Sequence, residues 1–267
     1  MEYTDIIVDK KGPVAWLTIN KPHVKNGMGL QTMREILAAL ENLENDPAIM
    51  VLVIKGAGGT FCAGADFKEI SAKVSPSNPA YDPAFKAEFT KAADKVFLTL
   101  EKFPKVAIAM VQGVCMAGGV EIAEVCDFII ADENAKIGDG HMKTGLVPNG
   151  GASIRMPRFI GMRKAKELLY TGALISGKEA EAIGLINKAV PGDRLEQEVE
   201  DLIARLVDKP PLALKAMKQL VNHGATCSLE AGIVLEHLAV EGLERTEDFQ
   251  ESMKAFAEKR KPVYKGK

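Results

Sequence analysis

Short apolar runs alternate with longer stretches of helical period through the first half of the chain. Val14–Ile19 (VAWLTI) and Ile49–Ile54 (IMVLVI) are rich in β-branched residues and predict strands. The second is apolar throughout, the pattern of a strand covered on both faces. Between them Leu30, Met33, Ile36, Leu37, Leu40 and Leu43 recur at three- and four-residue spacing, which predicts an amphipathic helix with one core face. Val106–Val111 (VAIAMV) and Phe128–Ala131 (FIIA) predict two more strands, separated by a glycine-containing segment and a short helix around Val120–Val125. Strand and helix in alternation define an α/β fold with helices packed on a sheet.

From Gly161 the pattern predicts helices only: Met162–Tyr170, Arg194–Val207, Leu212–His223, Leu229–Leu243 and Thr246–Lys259, punctuated by Pro210 and Pro211. Ser75–Asp82 (SPSNPAYD) has no periodicity and reads as a surface loop, either a lid or a plain solvated connection. No fixed-period repeat or low-complexity segment interrupts the chain, so solenoids and propellers drop out.

Composition narrows the classes. The 267 residues are 47% hydrophobic and 26% charged, with 34 Lys+Arg against 36 Asp+Glu and a net charge of -2, which excludes a disordered chain and a global basic field for nucleic acid. The charge is uneven: Lys254–Lys267 holds six basic side chains against Glu258 alone. In Phe85–Phe97, Lys86, Lys91 and Lys95 are offset by Glu88 and Asp94, so no RNA-binding arm is expected there. The most apolar long stretch, Val106–Cys126, carries Gln112, Glu121 and Glu124 and does not fit a membrane span. The N-terminal MEYTDIIVDKK lacks the layout of a secretory signal, and a cytoplasmic setting is expected. Cys62, Cys115, Cys126 and Cys227 show neither CxxC pairing nor a dense framework, which fits reduced thiols and no bound metal.

Two glycine-containing turns each follow an apolar strand, Gly56–Phe67 (GAGGTFCAGADF) and Gly113–Glu121 (GVCMAGGVE). Glycine lets a backbone approach a ligand, and N–H groups at a helix start stabilise an anion. Neither turn has a dinucleotide or phosphate-loop fingerprint, and such turns are also ordinary tight turns. With a helix starting near Gly118, Glu121 lies about one turn in, among the small or apolar Val120, Ile122, Ala123, Val125 and Cys126. Desolvation there raises a carboxyl pKa toward the range of general acid-base catalysis. The alternative is a solvated helix glutamate.

FCAGADFKEI, VQGVCMAGGVEIAEVCDFIIADENAKIG, GLVPNGGASIRMPRFIGMRKAKELLYTGALISGKEAEAIGLINKAV and the ending FQESMKAFAEKRKPVYKGK together resemble the enoyl-CoA hydratase/isomerase (crotonase) superfamily over nearly the whole chain. The resemblance implies a crotonase-like spiral of repeated ββα units over residues 1–190 and a helical C-terminal region over 191–267 that builds trimers, commonly paired into hexamers. It also implies a coenzyme A thioester as substrate, with no separate cofactor. The two backbone amides that hold the thioester oxygen match Ala65 and Gly118, and preorganised donors of that kind are often the largest catalytic contribution. The resemblance further places the adenosine part near Val24–Gly27 and the backbone of Ala63, Gly64, Ala65, Asp66 and Phe67, with Gly119 beside the oxyanion site and Lys68 and Lys259 meeting phosphates. Met116, Met142, Leu146 and Val147 are candidates for the acyl wall or for core.

Hydratases of that family use two glutamates. Glu121 matches the first, while the second falls on His141 within IGDGHMKTG, a departure from the pattern. A histidine exchanges protons near neutral pH but cannot supply a second negative charge. The reading is Glu121 as water-activating base and His141 as proton donor or orienting group, with Asp139 a possible auxiliary and a bystander loop histidine the alternative. The family's isomerases keep their single glutamate at the position of His141, so isomerisation loses support. Hydration or dehydration of an α,β-unsaturated thioester leads, with a branched, aromatic or cyclic acyl group suggested by the altered pair. Carbon-carbon bond hydrolysis of a β-keto thioester is the second reading and a non-catalytic CoA-binding protein the third.

Overall fold

The computed structural model describes residues 3–267. At its centre is a six-stranded sheet in the order β1 (Ile6–Lys11), β2 (Val14–Ile19), β3 (Val51–Gly56), β4 (Val106–Val111), β6 (Phe128–Asp132) and β9 (Lys188–Val190). β1 and β2 pair antiparallel, and every other pair in this sheet is parallel. A three-stranded sheet holds β5 (Val114–Met116), β7 (Lys136–Gly138) and β8 (Ile175–Ser176). Helices α1 (Leu30–Glu44), α2 (Phe67–Val74), α3 (Pro83–Glu101), α4 (Gly118–Glu124) and α5 (Ala152–Thr171) connect these strands. After β8 come α6 (Gly177–Ala182), then α7 (Leu195–Val207), α8 (Pro211–Gly224), α9 (Leu229–Leu243) and α10 (Glu247–Glu258).

The chain repeats one order: large-sheet strand, small-sheet strand, helix. β4, β5, α4 and β6, β7, α5 are two such units, and Cys62, bridged in parallel to Cys115 of β5, takes the small-strand place in the unit that runs from β3 to α2. This is the ββα spiral that the motifs lead one to expect.

Period-two alternation divides each central strand between two apolar layers. Ala15, Leu17 and Ile19, Leu52 and Ile54, and Ala107, Ala109 and Val111 lie in the main core with Leu40, Leu100 and Ile122 from α1, α3 and α4. Val14 and Trp16, Val51 and Val53, and Val106, Ile108 and Met110 lie in a second cluster sealed by Leu195, Val199, Leu202 and Ile203 of α7. Each fully buried aliphatic or aromatic side chain contributes roughly 1.5–3 kcal/mol of transfer free energy, so both faces of the sheet are strongly held. A division at 190/191 falls between β9 and a helix that is part of the sheet's packing. α8 packs on β4 and on α9, and α9 buries none of its residues.

One expectation for the second half needs correction. The stretch after Gly161 is not helical only, because β8 and β9 lie within it. They are two and three residues long, too short to show a period, and β9 is fixed by distant partners: Asn187 donates its N–H to Ile129 O (3.0 Å) and accepts the Ile129 N–H on Oδ1 (2.7 Å). The helix expected over Met162–Tyr170 is found after a break at Gly161 (φ 75°, ψ 157°), and a further helical segment from Ala152 through Pro157 precedes it within α5. The loop over Ser75–Asp82 is found, and Asp82 ends it by accepting the Ala84 and Phe85 N–H groups at the start of α3.

Glu35, on α1, ties down the start of β1. Its carboxylate accepts the N–H groups of Thr4 (2.9 Å), Asp5 (2.8 Å) and Ile6 (3.2 Å) and the Thr4 hydroxyl (2.7 Å). Burial opposes the charge, but these bonds outweigh it and hold the carboxyl at about 2, against 4.5 ordinarily. A depressed folded-state pKa gives stability that is complete above the ordinary value and is lost as pH falls toward the folded one. Glu35→Gln is therefore expected to lower stability at pH 7 by about 1–3 kcal/mol and to flatten its decline between pH 4.5 and 2, as read by urea unfolding at several pH values.

Candidate active site

The turn after β3 and the turn after β5 meet at the start of α4. Cys62 donates its N–H to Val114 O (3.0 Å) and accepts the Met116 N–H (3.0 Å), while Met28 and the 64–66 segment exchange Met28 N–H to Gly64 O (2.8 Å) and Asp66 N–H to Met28 O (2.9 Å). These bonds use the amides on either side of Ala65 and leave the Ala65 N–H without an acceptor among the described residues. Gly118 is the first residue of α4, and its N–H is likewise unpaired, as the first amides of a helix are. The turns are in contact: a Cβ on Gly64 would lie 3.2 Å from the Gly118 nitrogen. Ala117, which presents the Gly118 amide, has φ 52° and ψ −123°, a conformation costing a non-glycine residue about 1–3 kcal/mol. It is held there by its N–H to Asp139 O (2.8 Å) and by its carbonyl, which accepts the Glu121 N–H (3.1 Å).

Glu121 is 1% exposed. One carboxylate oxygen, Oε1, accepts the N–H groups of Gly150 (2.6 Å) and, more weakly, Ala152 (3.4 Å); the other, Oε2, is buried with no partner among the described residues. Burial pushes its pKa above the ordinary carboxylate value, with Asp139 adding to the rise, while the His141 charge and the two N–H groups pull the other way. Gly150 is required by this packing, since a Cβ there would lie 2.6 Å from Oε2 and 2.4 Å from the Phe97 ring. One helical turn on, Glu124 is also buried, with both oxygens unpartnered among the described residues, and burial, reinforced by Glu121, drives its pKa well up.

His141 begins a single 3-10 turn over His141–Thr144, directly after β7 and Asp139–Gly140. Its Nδ1 is 2.7 Å from Asp139 Oδ2 and its backbone N–H donates to Oδ1 (3.1 Å), so a fully buried carboxylate fixes the ring. Nε2 is left without a protein partner among the described residues. Burial lowers the imidazole pKa, but Asp139 and then Glu121 outweigh it and raise the pKa above the usual histidine value. The Ala117 N–H bond to Asp139 O ties the loop that carries His141 to the start of the helix that carries Glu121. The arrangement offers two open N–H donors, a desolvated carboxylate with one open oxygen, and a carboxylate-backed imidazole: parts for stabilising an oxyanion while a proton is taken at one place and given at another.

The remaining sequence candidates divide. Val24 ends a short turn next to Lys25, whose carbonyl accepts the Ala63 N–H (3.0 Å), so the 24–27 and 63–66 segments are brought together. Gly119 packs on the Cys62 carbonyl. The Asp66 side chain, by contrast, is used internally: it caps α2 through the Glu69 N–H and pairs with Lys21 (3.0 Å), and its backbone N–H and carbonyl are bonded to Met28 and to the Glu69 and Ile70 N–H groups. Lys68 and Lys259 are exposed with no ion-pair partner among the described residues, Lys259 in the left-handed cap that ends α10. Phe67, Met142, Leu146 and Val147 are exposed and Met116 half-buried, so none of these five is core. Cys62 is buried, its thiol pushed up to about 12 by that burial, and Cys115 is raised in the same way. Among the described residues, no group of three His, Cys, Asp or Glu side chains is placed to hold a metal ion. Sequence reasoning missed Gly150, Ala152, Glu124 and Arg155; the Gly-Gly of PNGGAS was the one signal for the first two.

Residues 9–267 match the family model described as enoyl-CoA hydratase/isomerase. The chain belongs to that family. It is 35% identical over 262 residues to the short-chain-enoyl-CoA hydratase of Clostridium acetobutylicum, covering 98% of this chain and 97% of that one. It is 37% identical over 265 residues to the crotonyl-CoA hydratase of Syntrophomonas wolfei, covering 98% of each. The crystal structure of an enoyl-CoA hydratase from Bacillus anthracis superposes with a TM-score of 0.92 at 31% identity, over 99% of this chain and 100% of that one.

If Glu121 holds His141 in its charged form, Glu121→Gln lowers the midpoint at which His141 titrates, as followed by histidine NMR. An unchanged midpoint would separate the two groups.

Proposed function

We propose that this chain is a hydro-lyase that adds water across the α,β-double bond of an acyl-CoA thioester, or removes it in reverse. The observation that carries the reading is Glu121 Oε2, a buried carboxylate oxygen left without a partner while Oε1 is tied to backbone N–H groups. A protein that only binds CoA has no use for such an oxygen. The family membership and the hydratases among its relatives support the same activity.

In this mechanism the Ala65 and Gly118 N–H groups hold the thioester oxygen. Glu121 Oε2 takes a proton from water as the water oxygen bonds to the β-carbon. The electron pair of the double bond moves into the thioester, and its oxygen takes enolate charge against the two amides. The Nε2–H of His141 then gives its proton to the α-carbon, and the thioester carbonyl is restored. The turnover leaves Glu121 protonated and His141 neutral, and a proton returns between them through solvent. Asp139 orients the imidazole and stabilises its charged form.

The same Asp139–His141 pair supports a second reading, hydrolysis of a carbon-carbon bond in a β-keto thioester, with Nε2 as the base for water and the two amides receiving the departing enolate. A branched, aromatic or cyclic acyl group belongs to either reading. The adenosine part of CoA lies along 24–27 and 63–67 with Lys68 and Lys259 at the phosphates. Residues 1–190 act as the catalytic core and 191–267 as the region that completes the CoA site and assembles a homotrimer, or a hexamer of two trimers. The exposed Leu229, Val234, Leu238 and Val240 on α9 support that assembly. A cytoplasmic setting is part of the same proposal.

Glu121→Gln is expected to reduce kcat for hydration of crotonyl-CoA by about 10²–10⁴-fold with assembly intact. Full activity in that variant would overturn the mechanism. The pH profile of kcat/KM should be bell-shaped. Its acid limb, where Glu121 must ionise, lies above the ordinary 4.5, and its alkaline limb, where the Glu121–His141 pair loses its last proton, lies above 6.5.

A further inference from the structure

Arg155, in the first turn of α5, connects the Glu101 carboxylate to the turn that holds Glu121. Its Nε and Nη2 make a two-pronged pair with Glu101 at the end of α3 (3.0 and 2.9 Å), and Nη1 donates to the Gly150 carbonyl (2.6 Å). That carbonyl lies between the two amides, Gly150 N–H and Ala152 N–H, that bind Glu121 Oε1. The turn is shaped around the guanidinium: Gly151 has φ 108°, and a Cβ on it would lie 2.1 Å from Nη1. Arg155 also raises no conflict with its neighbours, since Glu101, Glu124 and Glu121 all favour its charge. Its side chain is 12% exposed, so this geometry is not a solvated surface pair.

We propose that Arg155 is a positioning residue for the proton-transfer step, fixing the 150–152 turn to α3 so that its amides pin Glu121 Oε1 and direct Oε2 at the reacting water. The proposal rests on Glu121 acting as the base. Arg155 touches no substrate in this scheme; it acts through the Gly150 carbonyl. The planar guanidinium makes a two-pronged pair with Glu101 and a third bond to the carbonyl in one fixed fork, a geometry that the point-like ammonium of lysine does not reproduce. The groups that face Glu121 are the Gly150 and Ala152 amides, His141 and Asp139 from the loop after β7, Glu124 on its own helix, and the Phe97 ring from α3, with Arg155 behind the turn. Loosening the turn removes amides that stabilise the Glu121 carboxylate, so Glu121 holds its proton to higher pH.

The test compares Arg155→Met, Arg155→Lys and Glu101→Gln with the unaltered protein. Glu121 is titrated by carbon NMR of carboxyl-labelled glutamate, assigned with Glu121→Gln, and crotonyl-CoA hydration is measured alongside. Arg155→Met should raise the Glu121 midpoint and lower kcat by about 10- to 100-fold, the scale of an ångström-level misplacement, with KM within about threefold. Arg155→Lys should lie between, and Glu101→Gln, which keeps shape and removes the charge, should move both quantities in the same direction by less. An unmoved Glu121 midpoint, or a fall in kcat without that movement, would reduce Arg155 to a structural contact and overturn the proposal. Should Arg155→Met fail to fold, Glu101→Gln decides by the same two readouts. Absence of hydration in the unaltered protein would count against the proposed function, while the titration would still judge Arg155.

Discussion

A carboxylate taken almost wholly out of water, with one oxygen bonded and the other left open, is the constraint around which this protein is organised. Burying Glu121 costs free energy in its charged form, and the fold offsets part of that cost with the Gly150 and Ala152 amides and the His141 charge. The remainder appears as a raised pKa. Oε2 keeps the unsatisfied hydrogen-bonding capacity that a reacting water can use. Several local features follow: no side chain fits at position 150, the chain turns through a positive φ at Ala117, and Asp139 is committed to the histidine opposite.

The spiral explains why these parts coincide. Each unit delivers a large-sheet strand, a short strand and a helix, so the segments after β3, β5 and β7 emerge along one edge of the small sheet. Ala65, Gly118 and Asp139–His141 come from those three segments, far apart in the chain and adjacent in the fold. Bonds from Cys62 to Val114 and Met116 and from Met28 to Gly64 hold these turns against one another, so the amides are placed in advance for developing charge. The α3 helix contributes twice, with Phe97 against the Gly150 position and Glu101 holding Arg155.

What could be read from the sequence followed from periodicity and local order. The runs that become β2, β3 and β4 are six-residue, largely apolar stretches and α1 shows its period over fifteen residues, while Glu121 stands out because it interrupts an apolar helix just after a double glycine. β8 and β9 could not be read, since two or three residues display no period and their partners are remote in sequence. Glu35 and Arg155 were invisible for a related reason: a charged residue on an amphipathic helix looks solvated until the tertiary structure brings the Thr4–Ile6 amides or the Gly150 carbonyl against it. The capping role of the Asp66 side chain was not read either, because a ligand-facing turn and a helix cap share the same residue types.

The most direct measurement is the mass and carboxylate count of the product formed from a panel of enoyl-CoA and cyclic β-keto-CoA esters. The account predicts that an α,β-unsaturated thioester gains one water and no new carboxylate. Isomerised product without added mass would contradict it, and water gained together with a new carboxylate from the cyclic β-keto esters alone would assign the site to carbon-carbon bond hydrolysis instead.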